Sequence, residues 1–319
     1  MKVADLGCSV GPNALLLISN VINIVDVACT RLNHELPTFQ FYLNDLFEND
    51  FNTTFKSLPD FYTKLLQDKG YMSDSCFINA TPGSFYGRLF PSNSISLFHS
   101  SNSLHWLSQD PLLGCKGAGA ASPNKGHCHI VSTSPPEVYK AYLKQFQQDF
   151  KLFLKSRSEE LVSGGAMVLL FLGNQENPRI TGWELISLIL NEMFLEGLIE
   201  EEKLDSFNIP VYEPTVEEIR HVIQEEGSFF IQQLEILVLP WDKGISEWSD
   251  DSSLDGNIKA ELMAKHVRAI MEPLLSTKFG AEVITEVCVR YQKKVVQLMQ
   301  VEKEKLEFAT FMISLTKNA

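Results

Sequence analysis

The stretch Asp5-Leu6-Gly7-Cys8-Ser9-Val10-Gly11-Pro12-Asn13 follows the strand-like start Val3-Ala4 and leads into an apolar run with helical spacing. A strand that enters a glycine turn and then opens a helix leaves backbone N–H groups unpaired at the helix N-terminus, where a nucleotide-like ligand can approach the main chain. Gly7 and Gly11 supply only part of a dinucleotide fingerprint, because Ser9 occupies the position two after Gly7. The second chemical feature is Asp45, which closes the apolar stretch Phe39-Gln40-Phe41-Tyr42-Leu43-Asn44. It lies about forty residues past the turn, where a compact dinucleotide unit places its acid after about twenty. An acid at the end of the second strand of a doubly wound sheet can accept hydrogen bonds from two ribose hydroxyls. That geometry suits nucleosides generally, S-adenosylmethionine (SAM) among them.

Other chemistries find less support. The six cysteines, Cys8, Cys29, Cys76, Cys115, Cys128 and Cys288, show no CxxC spacing, which speaks against a zinc site or a disulfide framework and for a reducing cytosol. His127 and His129 alternate as on one face of a strand but lack a third ligand. A net charge of −13 speaks against a phosphate-tracking surface, and Lys293-Lys294 and Lys303 to Lys305 alternate with glutamates as on a solvated helix face. No nucleic-acid or membrane partner is expected; no signal peptide or run of about 20 apolar residues stands out.

The elements that must hold these residues alternate between strand-like and helical patterns. Strands are expected at Val3 to Leu6, Phe39 to Asn44, Phe77 to Ala80, Ile95 to Ser100 and Ala166 to Leu172, the third and fourth of them short and buried. Helices are expected at Ala14 to Leu32 and from Pro136 to about Arg157. This reads as a mostly parallel α/β sheet with helices on both faces. Beyond it come helical segments at Trp183 to Leu195, Val216 to Glu225 and near Ile258 to Leu275, with an acidic, Ser-rich loop from Trp241 to Asp255. Two further strands are expected at Phe229 to Leu239 and Phe308 to Leu315. The chain divides into a core at residues 1–175, a mainly helical cap at 176–275 that lends a core strand near 229–239, and a helix and strand at 276–319 returning to the core.

An ordered set of blocks then resembles one family, the plant SABATH methyltransferases. They are DLGCSVGPN (Asp5 to Asn13), YLNDLFENDFN (Tyr42 to Asn52), PGSFYGRLFP (Pro82 to Pro91), HSSNSLHWLSQ (His99 to Gln109), NKG (Asn124 to Gly126), EEEKLDSFNIP (Glu200 to Pro210) and EPLL (Glu272 to Leu275). The resemblance implies a Rossmann-like SAM-dependent methyltransferase sheet with a helical cap. It implies a methyl transfer to the carboxylate of a small plant metabolite such as salicylate, benzoate or jasmonate. A caffeine synthase-like xanthine N-methyltransferase and an inactive SAM-binding remnant are the alternatives.

Residue by residue, the resemblance places Asp5, Gly7, Cys8, Asn13, Asp45, Leu46, Ser84 and Phe85 at SAM, with Phe85 against the adenine. It places Asn102, His105, Trp106 and Trp183 at the acceptor, and Asn124, Asp205, Phe207 (through its carbonyl) and Asn208 at a structural magnesium ion. A helix stop in the turn Asp-Ser-Phe-Asn-Ile-Pro explains Asp205 and Asn208 equally well. A homodimer is also implied. Two departures stand out: Asn102 occupies a position where many members carry Tyr, and Phe47-Glu48 replace the usual Pro-Gly. The family carries a segment before its first strand, so Met1 reads as a truncated start. A carboxylate is already ionised at neutral pH, so no general base is needed and no catalytic acid–base residue is assigned.

Overall fold

The computed structural model describes residues 1–69, 75–113, 122–174, 180–241, 255–301 and 306–318. Five parallel strands, β1 (Lys2–Leu6), β2 (Phe39–Asp45), β3 (Cys76–Pro82), β4 (Ile95–Ser101) and β5 (Leu161–Gly173), form most of one sheet. β6 (Phe229–Pro240) and β7 (Glu307–Lys317) complete it in the order β3-β2-β1-β4-β5-β7-β6, with β7 antiparallel to both of its neighbours. The sheet is thus parallel only as far as β5. Periodicity announces a strand but carries no sign of its partner's direction.

Strand alternation divides the core into two faces. Val3, Phe39, Phe41 and Leu43 pack with α1 (Pro12–Leu32) and with α3 (Leu58–Lys69), which follows a short α2 (Phe51–Lys56). Ala4, Leu6, Phe98, Phe171 and Phe311 turn to the opposite face, against α4 (Pro136–Glu160) and α7 (Val216–Glu226). α1 has the length and apolar composition of a membrane span, contrary to the sequence expectation. Its buried residues Ala14, Leu15, Ile18, Val21 and Ile22 pack on the sheet as the crossover between β1 and β2.

A separate core gathers α5 (Gly182–Leu195), α6 (Glu201–Asp205), α8 (Gly256–Phe279) and α9 (Ala281–Val301). Ile284, Val287, Tyr291 and Val295 place α9 inside this cap, so only β7 returns from the 276–319 segment to the sheet. The difference is physical: an amphipathic helix packs on whichever apolar surface lies nearest, and α8 and α5 supply it.

Three further expectations change. β3 lies at the sheet's edge with Phe77 53% exposed, so it is no buried strand. His127 and His129 sit in irregular backbone: Cys128 donates to Ser187 Oγ and its carbonyl accepts from Ile209, so the segment joins no ladder. The acidic loop falls largely at 242–254, and Cys115 and Lys303 to Lys305 lie in 114–121 and 302–305; all are outside the described residues.

Candidate active site

The residues singled out at the glycine turn and Asp45 converge at the C-terminal ends of β1 and β2, beside the β1–β4 junction where the strand order reverses. Doubly wound sheets leave a ligand crevice at such a point. Gly7 (φ 77°) turns the chain so that its own N–H and that of Cys8 both donate to the Asn44 carbonyl at 2.9 Å. A Cβ at Gly7 would meet Ser103 Oγ at 2.1 Å, so this position takes only glycine. The Ser103 hydroxyl lies 3.2 Å from the Gly7 carbonyl and couples this turn to the loop after β4.

Asp45 is held by two main-chain donors. Ser9 N–H (φ 55°) donates to Oδ2 at 2.7 Å and Leu46 N–H to Oδ1 at 2.8 Å. A carboxylate offers about four acceptor positions, so each oxygen keeps a lone pair for a hydroxyl. Gly11 caps α1 without a side-chain bond and Pro12 opens it, leaving the N-terminal amides beside Asn13 open to a ligand. Leu46 is 54% exposed at the rim.

Ser84 and Phe85 follow β3, where Asn44 Nδ2 donates to the carbonyls of Thr81 and Gly83 at 2.7 and 2.8 Å. Phe85 stands edge-on to Phe153, and its ring comes within 3.6 Å of the Gly7 Cβ position. Its loop is clamped from below. Arg157 donates to the carbonyls of Phe85 and Gly87 at 2.8 and 2.7 Å, while Glu160 accepts from the N–H groups of Leu89 and Phe90 and from Arg157 Nε.

Asp5 lies 2.8 Å from the His99 ring on β4 and is nearly buried. Cys8 is buried beside Asp5 and Asp45; burial first, then those carboxylates, push its thiol up, so it remains protonated and is no nucleophile.

After β4, His105 and Trp106 form one ring cluster with Trp183 of α5. Trp106 and Trp183 meet at 5.5 Å and 77°, and His105 lies 6.0 Å and 6.4 Å from them. Burial lowers His105 to about 3, so the imidazole is neutral at physiological pH. Its Nδ1 accepts a long 3.5 Å bond from Leu172 N, leaving the proton on Nε2. Tyr86 donates its hydroxyl to the Trp106 carbonyl and ties the Phe85 loop to this cluster. Asn102 adopts a left-handed φ of 55° at an exposed corner and is anchored through its N–H to Leu170 O.

The residues of the expected magnesium set hold protein partners. Asn124 bonds Ser134 through Oδ1 and His129 O through Nδ2, Asp205 accepts from Gly126 N, and Asn208 Nδ2 donates to Asp110. Phe207 packs edge-on against Phe279. Asn208 Oδ1 is buried without a hydrogen-bond partner and, with the Asp205 carboxylate and the Asn124 amide oxygen, offers the hard oxygen donors that a divalent cation takes. Asp205 ends α6, as the helix-stop reading holds.

Sequence reasoning missed Asn44, Ser103, Arg157 and Glu213. Glu213 accepts from the Trp183 indole N–H and remains partly accessible, yet burial pushes its carboxyl up to about 7. Because this native value lies above the ordinary 4.5, the folded chain binds more protons between those values and loses stability as pH rises through them. Glu213→Gln is therefore expected to gain about 1–3 kcal/mol over the native chain at pH 8 and nothing near pH 4, read by urea unfolding.

An open α/β sheet with a glycine turn, an acid at the end of its second strand and a nearby aromatic ring cluster is the kind of core that binds a nucleoside at its switch point. A family model described as SAM dependent carboxyl methyltransferase matches residues 1–318. The chain belongs to this SAM-dependent carboxyl methyltransferase family. It is 45% identical to the probable jasmonic acid carboxyl methyltransferase 1 of Theobroma cacao, over 99% of this chain and 86% of the relative. It is 43% identical to the 3,7-dimethylxanthine N-methyltransferase 1 of Coffea arabica, over 94% and 80%. Among solved structures, a loganic acid methyltransferase with SAH superposes with a TM-score of 0.83 at 33% identity, covering 100% of this chain and 85% of that one.

Proposed function

We propose that this enzyme transfers the methyl group of SAM to the carboxylate of a small acid of the salicylate, benzoate or jasmonate type. The observation that carries the reading is the ring cluster of neutral His105, Trp106 and Trp183, which offers aromatic walls to an acceptor. An already ionised carboxylate needs no general base.

The residues divide the work. Asp45 takes the ribose hydroxyls, the amides from Asn13 onward face the polar end of the nucleoside, and Phe85 lies along its base. Bound SAM supplies an electrophilic methyl on a sulfonium centre. Trp106, anchored through Leu107 N to Pro210 O at 2.7 Å, would present its indole to the acid and orient its carboxylate for methyl transfer. Fixing the reactants in this way can lower the barrier by about 7–11 kcal/mol. A dry pocket assists further, because cationic donor and anionic acceptor neutralise each other along the path.

Incubation with methyl-labelled SAM and a panel of salicylate, benzoate and jasmonate is expected to give labelled, base-labile methyl esters. No ester from any acid would overturn the reading. Turnover of methylxanthines instead would establish the N-methyl alternative, which the Coffea relative favours. Homodimerisation belongs to the same proposal: Leu16, Ile24 and Val27 leave an apolar side of α1 exposed for a second copy to cover. Sedimentation is expected to give twice the chain mass, and a single-chain mass at micromolar concentration would refute pairing. A cytoplasmic site of action is supported by the five described cysteines, all unpaired, and checked by fractionation.

A further inference from the structure

The turn after β1 reverses through left-handed backbone at three residues, and only one of them carries a side chain. Gly7 and Gly11 take positive φ freely, whereas Ser9 does so at φ 55° against the crowding of its own Cβ. A serine in this region is held there by its surroundings, and such residues gather where a ligand needs the main chain preset.

The holding contacts come from residues 45–54, the end of β2 and the start of α2. Asp45 Oδ2 takes the Ser9 N–H at 2.7 Å, and on the other side of the same residue Asn49 Nδ2 donates to the Ser9 carbonyl at 3.1 Å. Both peptide groups of Ser9 are therefore pinned. Asn49 is itself fixed: its N–H donates to the Leu46 carbonyl at 3.1 Å and its carbonyl accepts from Phe51 N at 3.0 Å, just where Asp50 caps α2. Thr54, buried on α2, accepts a long 3.4 Å bond from Gly11 N. A planar trans peptide points its N–H opposite to its C=O, so the grip on the Ser9 carbonyl also sets the direction of the Val10 N–H. Gly11 and Pro12, which open α1, follow at once in the chain.

Resting on the placement of SAM at this turn, we propose that Asn49 is a positioning residue for the methyl donor: its amide keeps Ser9 left-handed before SAM arrives. Asp45 divides its oxygens between the turn and the ribose, whereas Asn49 acts through the turn. Without that amide only the fraction of molecules that keeps the shape binds SAM, and the apparent affinity falls with that fraction.

Calorimetry of SAM on the full chain tests this. Asn49→Ala is expected to weaken binding by about fivefold, the worth of one neutral hydrogen bond, and to raise the KM of SAM in step while the KM of the acid stays where it is. A Ser9→Gly background separates positioning from a local packing defect. Glycine enters the left-handed region at no cost, so in that background Asn49→Ala should weaken SAM by less than about twofold. An equal loss in both backgrounds would overturn the inference. An unchanged dissociation constant in Asn49→Ala beside a weakened one in Asp45→Ala would overturn it alone, and if neither substitution changes SAM binding the placement of SAM at the turn falls with it.

Discussion

Arg157→Leu is expected to lower the stability of the folded chain by about 3–5 kcal/mol, the cost of leaving a buried charge without its partner. Arg157 and Glu160 are both fully buried, 2.8 Å apart and one helical turn from each other on α4. Neither oxygen of Glu160 is idle, and the guanidinium is also stacked over Phe98 and Phe153 at 5.1 and 5.4 Å. Removing the cation therefore leaves Glu160 with only Arg88 Nε at 3.4 Å and two loop amides, and strands two carbonyls at once. The double variant Arg157→Leu/Glu160→Leu should recover only part of the loss. It removes the buried charge but leaves four main-chain groups of the Phe85 to Phe90 loop unpaired. The urea midpoint measures both, and a loss below about 1 kcal/mol for the single variant would show the pair to be dispensable. Because the clamped loop carries Ser84 and Phe85, the surviving fraction of Arg157→Leu should also bind SAM more weakly.

Asp45→Ala is expected to weaken SAM binding by about a hundredfold while the KM of the acid changes little. Hydrogen bonds to a charged acceptor are worth about 1.5–3 kcal/mol, and a tenfold change in affinity corresponds to about 1.4 kcal/mol. The same substitution frees the Ser9 amide, which the carboxylate holds at 2.7 Å while Ser9 keeps a left-handed backbone. Part of the loss thus comes from a turn that no longer stays formed. Asp45→Asn keeps one acceptor oxygen and should fall between the two proteins. Calorimetry with SAM reads the effect, and an unchanged dissociation constant in Asp45→Ala would refute the ribose role.

The geometry at the glycine turn and Asp45 was legible because its signals are local. A glycine that only glycine can replace, an acid at a strand end and an apolar run on each side are all visible in a few residues. The meeting of Trp106 and Trp183 was legible only through the resemblance, since nothing near either residue predicts that a loop and a cap helix bring their rings to 5.5 Å. Arg157 and Glu160 stand in Lys-Ser-Arg-Ser-Glu-Glu, which reads as a solvated helix end. Their burial follows from the Phe85 to Phe90 loop, far away in sequence. Glu213 was invisible for a related reason: between Tyr212 and Pro214 a glutamate looks like an exposed loop residue. The cap's extent was misjudged because α9 carries an apolar stripe that would fit a sheet as readily as a helix pair.

The place of β7 between β5 and β6 governs the order of assembly during synthesis. Phe311, Ile313 and Leu315 are fully buried in the middle of that half of the sheet, yet they follow the whole cap in the chain. Until the ribosome has released them, β6 has no partner and the β5 edge is unpaired, an invitation to wrong pairing. The nascent chain must carry this open seam while about seventy residues of connecting chain are made. A chaperone that shields strand edges, or slow translation after β6, should therefore change the yield of folded enzyme more than any substitution at the glycine turn.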